Sequence, residues 1–318
     1  MAEVKKVAIG MSGGVDSAVS AALLVEQGYE VMGVFLECWR EPGCRTDEDR
    51  KDALDVALRL KIPFQVLDFK KEYKQKVVDY FYSEYKAGRT PNPDVMCNKE
   101  IKFGLFYDWS MKNGFDYVAT GHYAKIKKGK LLRGVDEKKD QSYFLYRLRP
   151  EQLEQVLFPI GELAKTQVRE EARRRGLPVA DKPDSQGICF IGEVNMQQFL
   201  RERLPVKRGE VIDTHGRVMG EHDGVWFYTI GQRHGFKADP KVASTPPLYV
   251  IEKDIENNRL VVGFGAETYR NEFKINDTHW IQLPQKSVLL VRIRHLGKLI
   301  ECSLRDYRVK LAEPQRGV

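Results

Sequence analysis

The chain has 318 residues, enough for two or three domains, and its 42% hydrophobic residues suffice to build buried cores. A formal net charge of +7 and a pI near 9.0 favour a polyanionic partner, with nucleic acid first, although a merely basic enzyme fits the charge equally well. No run reaches 18 apolar residues, and the opening MAEVKKVAIG has neither an apolar leader core nor a small-residue cleavage site. A membrane span and a secretory leader are therefore not expected, and the expected location is cytoplasmic.

In chain order, KKVAIG reads as a buried strand and SAVSAALLVEQG as a helix ending at Gly28. YEVMGVFLE is the next strand, followed by the helix TDEDRKDALDVALRLK with Thr46 as N-cap. PFQVLDF is a strand, KEYKQKVVDYFYSEYKAG a long helix, KEIKFGLFYDWSMKNG another helix, and FDYVATGH a strand. Alternation with short links predicts an α/β fold with a doubly wound parallel sheet, whose ligands sit at the carboxyl ends of the strands. Gly10–Ser17 and Thr120–His122 both emerge at that end.

After Tyr123 the pattern changes. YAKIKKGKLLRGV predicts a hairpin turning at Lys128–Gly129, while DQSYFLYRL, PEQLEQVLF and AKTQVREEARRRGL read as helical. From about Lys207 short strands are split by Gly, Asn and Asp, including SVLLVRIRH. The expected domains are 1–145 for nucleotide binding and catalysis, 146–205 for a helical extension carrying a second cysteine loop, 206–272 for a small central β-rich domain, and 273–318 for a C-terminal β-barrel-like domain, incomplete as given.

The loop IGMSGGVDSA joins the first strand to the first helix. Its backbone N–H groups and the helix N-terminus suit phosphate, with Ser12 and Ser17 as added donors and Asp16 placed to help hold Mg2+ near a pyrophosphate. The lysine-bearing GxxxxGK[ST] loop and the dinucleotide GxGxxG are absent. The alternative is an ordinary tight turn.

The five cysteines are Cys38, Cys44, Cys97, Cys189 and Cys302; their odd, scattered set without a CxxC predicts neither a disulfide framework nor a metal or iron–sulfur centre. Cys38, Cys44 and Cys302 read as buried small hydrophobes. Cys97 precedes a helix with Lys99 and Lys102 nearby, and Cys189 follows a polar loop; such surroundings favour a thiolate.

The SGGVDS loop resembles the PP-loop of ATP pyrophosphatases, which cleave ATP between the α- and β-phosphates. GMSGGVDSAVSA, AGRTPNPDVMCNKEIKFG, YVATGHYAKI, KDQSYFLYRL, LFPIGELAKTQVRE, KPDSQGICFIGE and YTIGQRHG follow in one order. Together they resemble the tRNA-specific 2-thiouridylases, the MnmA family, from about residue 6 to the mid-250s and more weakly beyond. That resemblance implies ATP-dependent replacement of the 2-oxygen of the wobble uridine by sulfur, in tRNAs for Lys, Glu and Gln. It implies Cys189 as the persulfide carrier and Cys97 as its partner thiol, freeing the sulfur or closing a transient disulfide. It implies ATP binding by Gly10, Met11, Ser12, Gly13, Gly14, Val15, Asp16 and Ser17, with Leu36 and Gly121 at the adenosine. It implies tRNA contacts by Asn92, Pro93 and Asp94 around the target base and by His122, Lys139, Asp140, Gln141, Arg294 and His295. ATP and Mg2+ are the implied cofactors, and a cysteine desulfurase or sulfur-relay protein is the implied persulfide donor.

Plainer readings stand beside these. Gly121 permits a tight turn, His122 serves as a structural histidine, and Asp140 caps a helix start. EEARRRGL reads equally as an RNA-phosphate contact and as a solvated helix face. His234 stands where the family usually has Lys or Arg, and His295 where it commonly has Tyr. The family usually continues past EPQR with a strand pair containing a Pro-Gly-Gln turn, so the last barrel is expected to lack closing strands and to expose an edge. Rival functions are an amine-using PP-loop synthetase, which needs no cysteine pair, an iron–sulfur thiolase, and a non-catalytic RNA-binding module.

Overall fold

The computed structural model describes residues 4–41, 44–184, 187, 189–192, 195–239 and 246–318. The chain forms two compact units. The first holds residues 1–79, 92–194 and 279–283; the second holds 80–91, 195–278 and 284–318.

The first unit opens with β1 (Lys6–Gly10), α1 (Val15–Glu26), β2 (Glu30–Glu37), α2 (Thr46–Leu60) and β3 (Phe64–Asp68). Gly28, at φ 85°, ends the α1 turn as its sequence position predicts. A helical run then passes through α3 (Lys70–Tyr73), a π-helical stretch Lys74–Val78 and α4 (Asp79–Lys86), of which all but Asp79 belongs to the second unit. A second run is built likewise from α5 (Pro93–Cys97), a π-helical stretch Asn98–Phe106 and α6 (Tyr107–Lys112). It leads into β4 (Tyr117–Ala119).

β5 (Ala124–Lys127) and β6 (Lys130–Arg133) form the expected hairpin, with Lys128 and Gly129 both at positive φ. β7 (Val156–Leu157) and α7 (Lys165–Arg174) complete the unit's regular elements. The five-stranded sheet has the order β3-β2-β1-β4-β7, and every pair in it is parallel. β1 is the topological switch point, with its successors on one side and β4 and β7 on the other. α1 packs its small and aliphatic residues Ala18, Val19, Ala21, Ala22 and Leu24 into the core with Val168 and Ala172 of α7.

Three local expectations are corrected. Arg45, not Thr46, is the N-cap of α2; the Thr46 hydroxyl donates to the Trp39 carbonyl at 2.7 Å. DQSYFLYRL holds only a 3-10 turn, Ser142–Phe144. PEQLEQVLF holds the 3-10 turn Pro150–Glu154 and then β7, which pairs with β4 as the sheet edge.

The second unit contains α8 (Met196–Arg201), a helix with no counterpart in the sequence reading. β8 (Gly209–Ile212), β9 (Val218–His222), β10 (Lys237–Ala238), β11 (Tyr249–Asp254) and β12 (Arg259–Gly263) form a sheet of order β10-β9-β8-β12-β11. β13 (Tyr269–Lys274), β14 (Leu289–Val291), β15 (Ile300–Arg305) and β16 (Arg308–Arg316) form a third sheet, β13-β16-β15-β14. Its small core gathers Ile300, Cys302, Val309 and Leu311.

Candidate functional site

Two groups of residues gather in the first unit: the loop after β1 with the basic and acidic side chains around it, and the pair of cysteines on separate segments.

The loop is folded by its own hydroxyls. Ser17 Oγ accepts from the Ser12 amide at 3.2 Å and donates to the Gly14 carbonyl at 3.1 Å. Gly13 sits at φ 73°, and a Cβ there would lie 2.2 Å from the Asp49 carbonyl oxygen, so only glycine fits. Met11 and Val15 are buried anchors, Ser12 is exposed, and Gly14 is the extended N-cap of α1. The helix start therefore leaves amides beside an exposed hydroxyl, an arrangement suited to phosphate oxygens. Gly10 ends β1, and Gly121 follows β4. A Cβ on Gly121 would meet Ser17 N at 2.7 Å, so this glycine lets the end of β4 pack against the start of α1. Leu36 is buried near the end of β2.

Around this loop lies a charge network the sequence reading missed. The Asp16 carboxylate accepts from Tyr123 Oη at 2.7 Å and from Lys165 Nζ at 2.7 and 2.8 Å. Lys165 also pairs with Asp184 at 2.8 Å, and Asp184 in turn binds Lys139 at 2.6 Å and Arg169 at 2.7 Å. Burial works against the Asp184 charge, but the bonds from Lys139 and Lys165 outweigh it and lower its pKa to about 2. Lys182 donates to the Gly13 carbonyl at 3.0 Å, to Asp49 at 2.7 Å and to Asp52. Lys165 and Lys182 keep only 12% and 13% of their side chains exposed, so these cations are held rather than solvated. Their signals were the lysines of ELAKTQ and DKPD, ordinary in isolation.

The cysteines meet. Cys97 ends α5, fully buried; Cys189, half-buried, lies 92 positions later, and the two sulfurs are 3.5 Å apart with both thiols free. Asn92 caps α5 by accepting from the amides of Asp94 and Val95 at 3.1 and 3.2 Å, and Pro93 takes the first helical position. Asp94 accepts from the Cys189 amide at 3.0 Å, and Tyr73 donates to the Cys189 carbonyl at 2.6 Å. Phe190 follows at φ 66°, a conformation unusual for a bulky residue and held by its edge contact with the Tyr73 ring. Ser185, Gln186, Ile188 and Glu193 of the same loop motif lie outside the described residues.

The pair is electrostatically unequal. The hydrogen bond from Cys97 lowers the Cys189 pKa to about 7, against burial and with help from Lys102. Burial, together with its donated bond and the neighbouring Cys189 charge, raises Cys97 well above the ordinary thiol value. Of the two, Cys189 is thus the one that gives up its proton more readily. Among the other cysteines, Cys38 and Cys302 are buried as expected, but Cys44 is only half-buried and donates to Thr46 Oγ1 at 3.3 Å.

The remaining expected residues fall differently. His122 is buried, with Nδ1 2.7 Å from Thr120 Oγ1 and its ring clustered with those of Phe103 and Phe158. Burial, then Lys102, holds its pKa well below the usual value, so it is neutral and has no exposed face for RNA. Lys139 is engaged by Asp184. Asp140 is buried and accepts from the Gly134 and Ser142 amides; it caps no α-helix, and the N-cap of the 3-10 turn Ser142–Phe144 is Gln141. Gln141 accepts from the Tyr123 amide at 3.0 Å. Arg294 and His295 lie in the second unit, past the end of β14 rather than in a strand; Arg294 is exposed and donates to the Ile230 carbonyl at 2.8 Å.

Comparison with known proteins agrees with this geometry. Residues 5–193 match the family model described as the tRNA methyl transferase HUP domain, and residues 197–264 match the tRNA methyl transferase PRC-barrel domain. The tRNA-specific 2-thiouridylase MnmA of Streptococcus uberis is 52% identical over 82% of this chain and 72% of its own length. That of Listeria monocytogenes is 52% identical over 83% and 73%. That of Streptococcus pyogenes serotype M2 is 52% identical over 98% and 89%. With both cysteine loops and the phosphate loop inside the matched region, the chain belongs to the tRNA-specific 2-thiouridylase family, MnmA.

Proposed function

We propose that this protein uses ATP to replace the 2-oxygen of the wobble uridine with sulfur in tRNAs for Lys, Glu and Gln. The observation that carries the reading is the 3.5 Å contact between Cys97 and Cys189, in the same unit as the SGGVDS loop.

A uracil carbonyl oxygen is a poor leaving group. In the proposed reaction the 2-oxygen bonds to the α-phosphorus of ATP, pyrophosphate leaves, and the oxygen departs later as AMP. Gly10 to Ser17 bind the phosphates through amides and hydroxyls, and Lys165 and Lys182 offset their charge. Leu36 and Gly121 border the adenosine. Mg2+ suits this site as a companion of the phosphates, since it needs only one or two carboxylates beside phosphate and water; Asp16 supplies one. When bound, the ion neutralises charge on the departing pyrophosphate.

Cys189 carries the incoming sulfur as a persulfide from a cysteine desulfurase or sulfur-relay protein. The terminal sulfur attacks uridine C2 and AMP leaves. Cys97 then attacks Cys189 Sγ, the persulfide S–S bond breaks with its electron pair going to the uridine sulfur, and a Cys97–Cys189 disulfide remains for an external thiol to reduce. Asn92, Pro93 and Asp94 shape the surroundings of the base. Lys139, Asp140, Gln141, His122, Arg294 and His295 belong to the proposed tRNA-facing set, with His122 acting through its neighbours because it is buried.

The test is incubation with ATP, Mg2+, a cysteine desulfurase with cysteine as the persulfide source and unmodified tRNA, followed by digestion and mass spectrometry for 2-thiouridine. The product is expected, and is expected to vanish without ATP or in Cys189→Ala. An amine-using synthetase would be indifferent to both cysteines, and activity surviving Cys97→Ala together with Cys189→Ala would overturn the reading.

A further inference from the structure

Lys102 lies in the π-helical stretch Asn98–Phe106, just beyond Cys97, and is half-buried. Among the described residues it forms no ion pair with a carboxylate. Its ammonium meets His122 Nε2 at 3.4 Å and lies 5.8 Å from the centre of the ring of Phe190, the residue next to Cys189. A cation drawn out of water needs an anionic partner, and here the partner is sulfur. Burial alone would lower the Lys102 pKa; Cys189, Cys97 and Asp94 together overcome that and raise it, so the ammonium is kept.

His122 aims this cation. An ammonium can only donate, so Nε2 must present its lone pair, the ring proton sits on Nδ1, and Nδ1 donates to Thr120 Oγ1 at 2.7 Å. Phe103 and Phe158 hold the ring in that orientation. The histidine expected at the RNA is thus a fixed acceptor behind a lysine.

We propose that Lys102, aimed by the Thr120–His122 pair, is the cation that holds the sulfur on Cys189 in its anionic form, first as the thiolate that accepts sulfur and then as the persulfide that attacks. This rests on the proposed function. In the loading step Cys189 Sγ bonds to the terminal sulfur of the donor persulfide, the donor S–S bond breaks, and its electron pair leaves on the donor thiolate; Lys102 keeps its proton throughout. Among the described residues, the titratable groups facing Cys189 include Lys102, Asp94, Cys97, Cys38 and Tyr73, and of these Lys102 carries the positive charge.

The experiment is iodoacetamide alkylation of the full chain across pH 5.5 to 9, resolved cysteine by cysteine by mass spectrometry, with ATP binding as the check on folding. In Lys102→Met the Cys189 midpoint is expected to move up by about one pH unit or more, slowing alkylation at pH 6.5 about tenfold. Lys102→Arg is expected to restore most of the shift. A Cys189 midpoint unmoved in folded Lys102→Met overturns the proposal. Should that variant fail to bind ATP, His122→Asn reads the same midpoint through the aiming residue; a smaller upward shift supports the proposal and no shift overturns it. Alkylation needs no tRNA. A midpoint that moves while wild-type protein never thiolates tRNA therefore sinks the proposed function and leaves the lysine's hold on Cys189 standing.

Discussion

At the scale of single residues, the cysteine pair divides its labour by burial. Cys97 is sealed in the protein and holds its proton more tightly, while Cys189 is half-buried and loses its own more readily because of the bond that Cys97 donates. Thiolate on Cys189 therefore rises with pH through about 7, and sulfur loading is expected to rise with it and level off above. Replacing the donor separates this effect from the later attack. In Cys97→Ala the Cys189 pKa should climb and persulfide loading at pH 7 should slow severalfold; in Cys97→Ser, whose hydroxyl still donates, loading should stay near wild type. Both variants should fail to release 2-thiouridine. Mass spectrometry of the loaded protein reads the first effect, and tRNA digestion the second. Lys165 poses a parallel test at the phosphate loop, because it holds Asp16 and Asp184 together. Lys165→Ala removes charge-assisted bonds to both carboxylates and a counter-charge for the phosphates, each worth about 1.5–3 kcal/mol. ATP affinity in a filter-binding or calorimetric titration should fall at least tenfold.

At the scale of elements, α5 positions the proposed chemistry. Asn92 caps it, Pro93 starts it without an unmet N–H, Asp94 holds the Cys189 loop, and Cys97 closes it where the π-helical stretch begins. Asn92→Ala should cost about 1 kcal/mol through loss of the cap and lower Tm by about 2–4 °C. Asn92→Asp, which also caps, should keep the Tm; if it nonetheless loses tRNA thiolation, the side chain has a second role at the base. Elements of this kind were legible where the local pattern and the tertiary setting agree. The apolar runs of β1 and β2 declared a buried parallel sheet, and Lys128–Gly129 declared a hairpin. β7 was not legible, because two residues inside PEQLEQVLF gain a strand only by pairing with β4. Thr46 looked like a cap, but the Trp39 carbonyl claimed its hydroxyl. At the site, contiguous motifs such as SGGVDS could be read directly. The Asp16–Lys165 pair could not, since 149 positions separate partners that only the packing of α7 on α1 brings together.

At the scale of the whole molecule, a net charge of +7 meets a polyanionic substrate, and most of the affinity for tRNA is expected to be electrostatic. Many of the chain's cations are not available for it. Lys165 and Lys182 are committed to the phosphate loop, and Arg169 to Asp184. Arg294 is different. It is exposed, and its bond to the Ile230 carbonyl engages one terminal nitrogen, leaving the rest of the guanidinium for a phosphate. Binding of unmodified tRNA, measured by fluorescence anisotropy from 50 to 200 mM salt, should weaken more than tenfold in the wild type. In Arg294→Ala the slope of log K against log salt should fall by about 1, with the loss shared equally among tRNAs for Lys, Glu and Gln, as a phosphate contact requires. An unchanged slope with a lowered Tm would instead make Arg294 a brace of the second unit, tying Ile230 to the end of β16.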